Sequence, residues 1–444
     1  MIAMIHNSRI IGTYGKDPGT VRWLGIPYAK AKRWHMPELI EDYGEEFKAD
    51  HYGPASIQTR TYMPENKSNR QFYYHEFRDR CEFTYSEDCQ VLNIYAPQNA
   101  EKCPVIVYIH GGAFIGGSSD EECFRDPLWA RNGVIGVTLN YRLGPLGFLC
   151  DPQLKQRDGH SGNYGLYDMI TALQWVQKHI AAFGGDPDNV TLMGQSAGAR
   201  CVQILCCSPL AKGLFARAVL SSGGGEGNWL GKCCREEEKY ALWQDLKEAV
   251  GAKTLQEFEQ LSPQQLYAGF GALLGKDFRK YFCLCNPVSG NDLLPDNVAQ
   301  CIQSGNVMDI PYLIGSNAMD MDPKRMHEDV CRYAFTRTQP SYAYLFSRHL
   351  PGDDAGSFHS SDLWYWFGTL REGWRPWQKR DHDLMQEMMG YLLAFASNGD
   401  PNGEGRTKWP TAQSEQIMVF ADGVTRTDGK EPAELKDAAA VIGW

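Results

Sequence analysis

In Gly194-Gln195-Ser196-Ala197-Gly198 a serine stands between two glycines, each two residues away. The residues before it, Val190 to Met193, are apolar and β-prone, and those after it, to Leu205, carry apolar side chains at helical spacing. Packing filler needs no such glycines. A serine on a tight strand-to-helix turn does need them, because flanking side chains would clash in the strained turn that leaves its oxygen projecting from the strand end. The chemistry implied is nucleophilic attack. A hydroxyl is a weak nucleophile at neutral pH, so three further parts are required: a base, an acid to orient it, and donors for the oxyanion formed on attack.

The donors have a candidate in YIHGGAFIGG, residues 108–117, where small residues follow an apolar run. The backbone N–H groups of Gly112 and Ala113 can point into a cleft there, with Ala197, next to the serine, as the third donor.

The elements that must position these parts are strands and helices in alternation. PVIVYIH (104–110), GVIGVTLNY (133–141), NVTLMG (189–194), FARAVLSSG (215–223) and IPYLIGSN (310–317) are near-continuous in apolar residues, as strands buried on both faces are. Between two of them, YGLYDMITALQWVQKHIAAFG has Met169, Leu173, Val176 and Ile180 at helical spacing. The fold class expected is α/β, with a mostly parallel sheet covered by helices on both faces. No repeat or Gly/Ser linker divides the chain, so residues 1–444 read as one domain with insertions around 52–84 and 226–300. In the second, CCREEEKYALWQDLKEAV mixes charged and apolar residues as a solvated surface helix does.

On a sheet of this kind the chain order is serine, acid, histidine. Of the 11 histidines, only His327, His349, His359 and His382 follow a plausible acid. His359 stands out, in a polar turn just before an aromatic run, SFHSSDLWYWFG; His327 and His382 sit among charges, as solvated histidines, and His349 in a loop. For the acid, IPYLIGSN is followed by AMDMD, which puts Asp320 just past a strand end with Asp322 as its rival.

Composition narrows the partners. With 444 residues, 43% hydrophobic and 22% charged, the chain is an ordinary globular protein. A net charge of -10 disfavours nucleic acid and anionic membrane surfaces, leaving a small neutral or cationic ligand. No apolar run approaches the ~20 residues that cross a bilayer. The first residues carry a polar interruption at His6 to Arg9 rather than a signal-type apolar stretch, so the expected location is cytoplasmic. The 14 cysteines, some adjacent, read as reduced thiols, and Cys283-Leu-Cys285 lacks the partner pair that a zinc site of local spacing would need. Neither a metal nor a cofactor is expected.

The segments WLGIPYAK, SEDCQVLNIYAP, YIHGGAFIGG, LNYRLGPLGFL, GNYGLYDMITALQWVQKHIAAFGGDPDNVTLMGQSAGA, LFARAVLSSG and ASNGDPNGEGRTKWP together resemble the type-B carboxylesterases. That group includes cholinesterases and bacterial para-nitrobenzyl esterases, all of the α/β-hydrolase fold. The resemblance implies that Ser196 is the nucleophile, His359 the base, and Gly112, Ala113 and Ala197 the oxyanion hole. Counted from Gly315, Asp320 falls where the family usually has glutamate. Phe114 looks like a cleft-lining residue, and Trp229 falls where some cholinesterases carry an acyl-pocket tryptophan.

Departures from the family pattern have consequences. Gln195 stands where most members have glutamate, which removes a negative charge beside the nucleophile and argues against a choline ester. Asp320 is shorter than glutamate, so it and His359 must approach more closely. Cys89 lacks an upstream partner at the family spacing. The activity implied is hydrolysis of small to medium carboxylic esters through an acyl-enzyme. The alternatives are an acyltransferase or amidase on the same triad, or a non-catalytic binding protein of this fold. The aromatics Trp364, Tyr365, Trp366, Phe367, Trp374 and Trp377 either line a pocket or, as is commoner, pack a core.

Overall fold

Along the middle of the sheet, every strand is apolar at consecutive positions because both of its faces are covered. In the computed structural model, which describes residues 1–62, 71–225, 233–423 and 425–435, these strands are β1 (Cys103–Ile109), β2 (Ile135–Leu139), β3 (Gly185–Gln195), β4 (Arg217–Ser221), β5 (Tyr312–Asn317), β6 (Ser341–Phe346) and β7 (Gln416–Phe420). They lie in the order β2-β1-β3-β4-β5-β6-β7, and every neighbouring pair is parallel. Antiparallel strands extend the sheet at both margins: Val91–Pro97 against β2, followed by Thr20–Pro27, and Thr425–Gly429 against β7. The expected strands are present, and β6 and β7 add to them.

Alternate residues of one strand enter different cores. Val105, Val107 and Ile109 of β1 pack with helices α1 (Tyr164–His179), α2 (Ala197–Cys207) and α3 (Pro323–Phe335). Ile106 and Tyr108 pack on the opposite side with α4 (Lys379–Asn398) and the short helix Leu363–Phe367. These five side chains, Val105 to Ile109, are 0% exposed. Burial of this kind contributes about 1.5–3 kcal/mol per large apolar side chain, so a polar residue on either face would be costly.

The chain leaves β1 for β2 on one side and later returns as β3 on the other. That reversal of strand order opens a crevice at the carboxyl ends of β1 and β3. Register places it: Ile109 pairs with Gly194, so the glycine-rich loop after β1 and the turn after β3 emerge side by side.

One sequence expectation is corrected here, and the open alternative for the aromatic run is resolved toward the commoner reading. The segment beginning at Cys233 is not a solvated surface helix: Trp243 and Leu246 of Tyr240–Ala249 are fully buried in the main core. Three of its charges, Glu236, Lys239 and Lys247, are buried too, each against a partner, while Arg235, Glu237, Glu238 and Glu248 are exposed. Lys247 Nζ meets Asp151 at 2.5 Å, Lys239 donates to the backbone oxygens of Leu284 and Asn286, and Glu236 accepts from Ser161. The aromatic run packs a core: Trp364 to Phe367 are all 0% exposed. Among the described residues, no helix is long and apolar enough to cross a membrane.

Candidate active site

At the turn after β3, Ser196 adopts φ 57° and ψ -125°, a conformation that non-glycine residues hold only under constraint. The constraint is visible at its neighbours. A Cβ on Gly198 would come within 2.1 Å of the Ile109 oxygen, and one on Gly194 within 2.5 Å of the Gly198 carbonyl. The backbone of the turn is held by the Ser196 N–H to the Ser221 oxygen at 2.8 Å and by the Arg200 N–H to the Ser196 oxygen at 3.0 Å. Gly198 permits the close crossing of α2 over the end of β1, and that crossing fixes the serine.

The loop after β1 is also held in left-handed backbone, with φ 108° at Gly112, 54° at Ala113 and 62° at Phe114. The N–H groups of Ile115 and Gly116 both donate to the Gly112 oxygen at 3.0 Å, closing the turn. The N–H groups of Gly112, Ala113 and Ala197 carry no hydrogen bond among the described residues. Unpaired backbone donors on adjacent turns, two on the β1 loop and one at the start of α2, are what a developing oxyanion requires.

His359 lies on the loop between β6 and the Leu363–Phe367 helix, and Asp320 on the loop after β5. The loops are joined by a parallel bridge between Met319 and Phe358, with the Met319 N–H donating to the Ser357 oxygen at 3.2 Å. This junction supplies the closer approach that an aspartate requires. His359 Nδ1 lies 2.6 Å from Asp320 Oδ1, with Asp320 0% and His359 3% exposed. The other carboxylate oxygen accepts from the Asn317 N–H at 2.8 Å and from the Ser222 hydroxyl at 2.9 Å. Asp322 is exposed at the N-cap position of α3, where its side chain makes no capping bond. Asp362 is the other buried acid nearby. Burial raises its pKa, and one of its oxygens accepts from Ser221, Tyr344 and Trp366.

Ser196, His359, Gly111 and Gly112 line one cavity of about 60 Å³. Its walls include Phe77, Phe124 and Leu363 as well as Arg78 and Glu121, which pair at 2.6 Å. His110 lies at the same wall, its pKa lowered to about 4 by burial, so it is neutral at pH 7. Gln195 is 2% exposed, with Nε2 3.2 Å from His359 Nε2.

The remaining candidates divide. Phe114 does not line the cleft: it is 1% exposed and packs edge-on against Phe148, because the left-handed turn directs it into the core. Trp229 lies outside the described residues. His349 is exposed and bonds Asp422, whereas His327 is buried between Ser316 and Cys331, not solvated. Sequence reasoning missed Ser222 and Asn317, the partners of Asp320; the paired serines of LSSGG were the available signal.

The sequence model of the carboxylesterase family matches residues 2–329 and 323–435. The para-nitrobenzyl esterase of Bacillus subtilis (strain 168) is 34% identical over 317 residues, covering 68% of this chain and 61% of that protein, less than two thirds of its length. Mouse (Mus musculus) bile salt-activated lipase is 33% identical over 489 residues, covering 87% of this chain and 76% of the lipase. Among solved structures, a thermophilic PNB esterase superposes with a TM-score of 0.82 at 26% identity, covering 98% of both chains. The chain belongs to the carboxylesterase family and is a carboxylic ester hydrolase.

Proposed function

We propose that Ser196, His359 and Asp320 are the catalytic triad of this hydrolase, acting on small to medium carboxylic esters without a cofactor. The observation that carries the reading is the 2.6 Å contact of Asp320 with His359 Nδ1, on an imidazole that shares its cavity with Ser196. Asp320 accepts a hydrogen bond from the Nδ1–H, which fixes that tautomer and leaves the lone pair on Nε2. That nitrogen removes the Ser196 proton as Oγ attacks the ester carbonyl. The N–H groups of Gly112, Ala113 and Ala197 hold the oxyanion, and the imidazolium returns its proton to the departing alcohol. Water then repeats the sequence on the acyl-enzyme and releases the acid.

A panel of p-nitrophenyl esters of increasing acyl length, matched anilides, and alcohol acceptors tests the reading. Ester hydrolysis is expected to dominate, with short acyl chains favoured by the small cavity. Faster anilide cleavage, or acyl transfer to alcohol in preference to water, would replace it with the amidase or the transferase.

Gln195 supplies a prediction about pH. With Nδ1–H donating to Asp320, Nε2 is an acceptor, so the Gln195 amide N–H₂ is the group that faces it at 3.2 Å. Gln195→Glu replaces that donor with an anion, which favours the imidazolium over the neutral ring. Activity needs the neutral base, so the acid limb of kcat/KM is expected to move to higher pH by roughly one unit. The comparison is between pH–rate profiles of the two proteins, and coincident acid limbs would remove Gln195 from contact with the base.

A further inference from the structure

Far from the cleft, His6, Glu41 and His179 each bring one ligand atom to within 4.8 Å of the other two. They come from separate elements: the turn between strands Ile2–Ile5 and Ser8–Ile11, the segment after Glu38–Leu39, and the last residue of α1. His179 is 5% exposed, and its Nε2 has no hydrogen-bond partner among the described residues. A buried imidazole nitrogen without a partner is rare in a folded protein. Burial first, and the neighbouring His6 second, lower the pKa of His179, so its lone pair is available at neutral pH.

The ring geometry suits a shared cation. The imidazoles of His6 and His179 meet edge to face with centroids 5.7 Å apart. Two imidazoles on one tetrahedral zinc, with Zn–N bonds of about 2.0 Å, set their ring centres roughly 5 Å apart. Small rotations of the exposed His6 and Glu41 side chains cover the difference. Glu41 Oε1 accepts from Lys178 at 2.7 Å, an ion pair with both side chains about half exposed (51% and 48%). Such a pair is weak and screened, so a divalent cation can displace the ammonium.

We propose that His6, Glu41 and His179 bind a divalent transition-metal cation, zinc by preference, which clasps the amino-terminal hairpin to the end of α1. Two imidazoles and one carboxylate are a borderline donor set that suits zinc and not calcium or magnesium, with water as the fourth ligand. The clasp is separate from the cleft. After α1 the chain passes Gly184, whose oxygen accepts from the Cys103 N–H at the start of β1, whereas Ser196 follows the end of β3. Metal at this end of the sheet acts on stability and leaves hydrolysis unchanged.

The test is calorimetric titration of zinc chloride into the reduced full-length chain with any affinity tag removed. One zinc per chain at a micromolar dissociation constant is expected, with a melting midpoint raised by a few degrees. His6→Gln and Glu41→Gln should each weaken binding by at least about tenfold, at unchanged ester hydrolysis. Lys178→Gln should tighten binding by freeing Glu41, and calcium chloride should give no heat. Should His179→Gln fail to fold, the exposed His6 and Glu41 still carry the test. No zinc binding overturns the proposal, as does zinc binding that survives both His6→Gln and Glu41→Gln, which would belong to cysteine thiols.

Discussion

Ser196→Ala is expected to fold as the parent does and to lose roughly 10³-fold or more in turnover of a p-nitrophenyl ester. The fold should survive because the hydrogen bonds that hold the turn run through the Ser196 backbone, to Ser221 and from Arg200. Alanine keeps the same Cβ, so the strain at φ 57° is unchanged. On the proposed reading, what is lost is the attacking oxygen. The loss exceeds that from weakened binding because members of a triad act as a unit. Turnover and the melting curve are measured together: a normal melting curve with near-parental turnover would move the nucleophile elsewhere, and a lowered midpoint would assign Ser196 a structural role.

What the sequence made legible was local. Gly194, Ser196 and Gly198 lie within one turn of chain, and the steric reason for their spacing reappears as the close approach of Gly198 to the Ile109 oxygen. The central strands were legible because burial on both faces leaves near-continuous Val, Ile and Leu. Strand β6 was harder: its sequence, SYAYLF, is mixed in character, with Tyr342 and Tyr344 on one face and the smaller Ala343 with Leu345 on the other.

Features that depend on long-range packing were hidden for the same reason. Phe114 follows the glycines of the loop after β1 and reads as cleft-lining, but its direction is set by a left-handed φ of 62° that no residue type announces. The helix Tyr240–Ala249 reads as solvated because Lys239, Lys247 and Glu236 surround its apolar residues. Their partners, Asn286, Asp151 and Ser161, are distant in sequence, and only the fold shows that the charges are buried in pairs. His6, Glu41 and His179 have no motif spacing and cannot be found by a search for local ligand pairs.

Between the two candidate acids, spacing alone makes no distinction. Asp320 and Asp322 are two residues apart, so on an extended chain they would face the same way. The chain does not stay extended: the Asp320 N–H turns back to the Asn317 oxygen at 3.3 Å, and α3 begins at Pro323. On the proposed reading, Asp320→Asn should preserve the fold and KM but cost on the order of 10⁴ in kcat. The reason lies in the partners of the second carboxylate oxygen. The Asn317 N–H and the Ser222 hydroxyl both donate to Oδ2 of Asp320. In the variant these donors hold the amide oxygen on their side, which turns the N–H₂ group toward His359 Nδ1. That nitrogen must then accept, the ring proton moves to Nε2, and Nε2 can no longer take the proton of Ser196. Asp322 is exposed, so Asp322→Asn should change kcat by less than about twofold. Measuring kcat and KM for the two variants side by side decides the assignment, and the reverse order of effects would place the triad acid at Asp322.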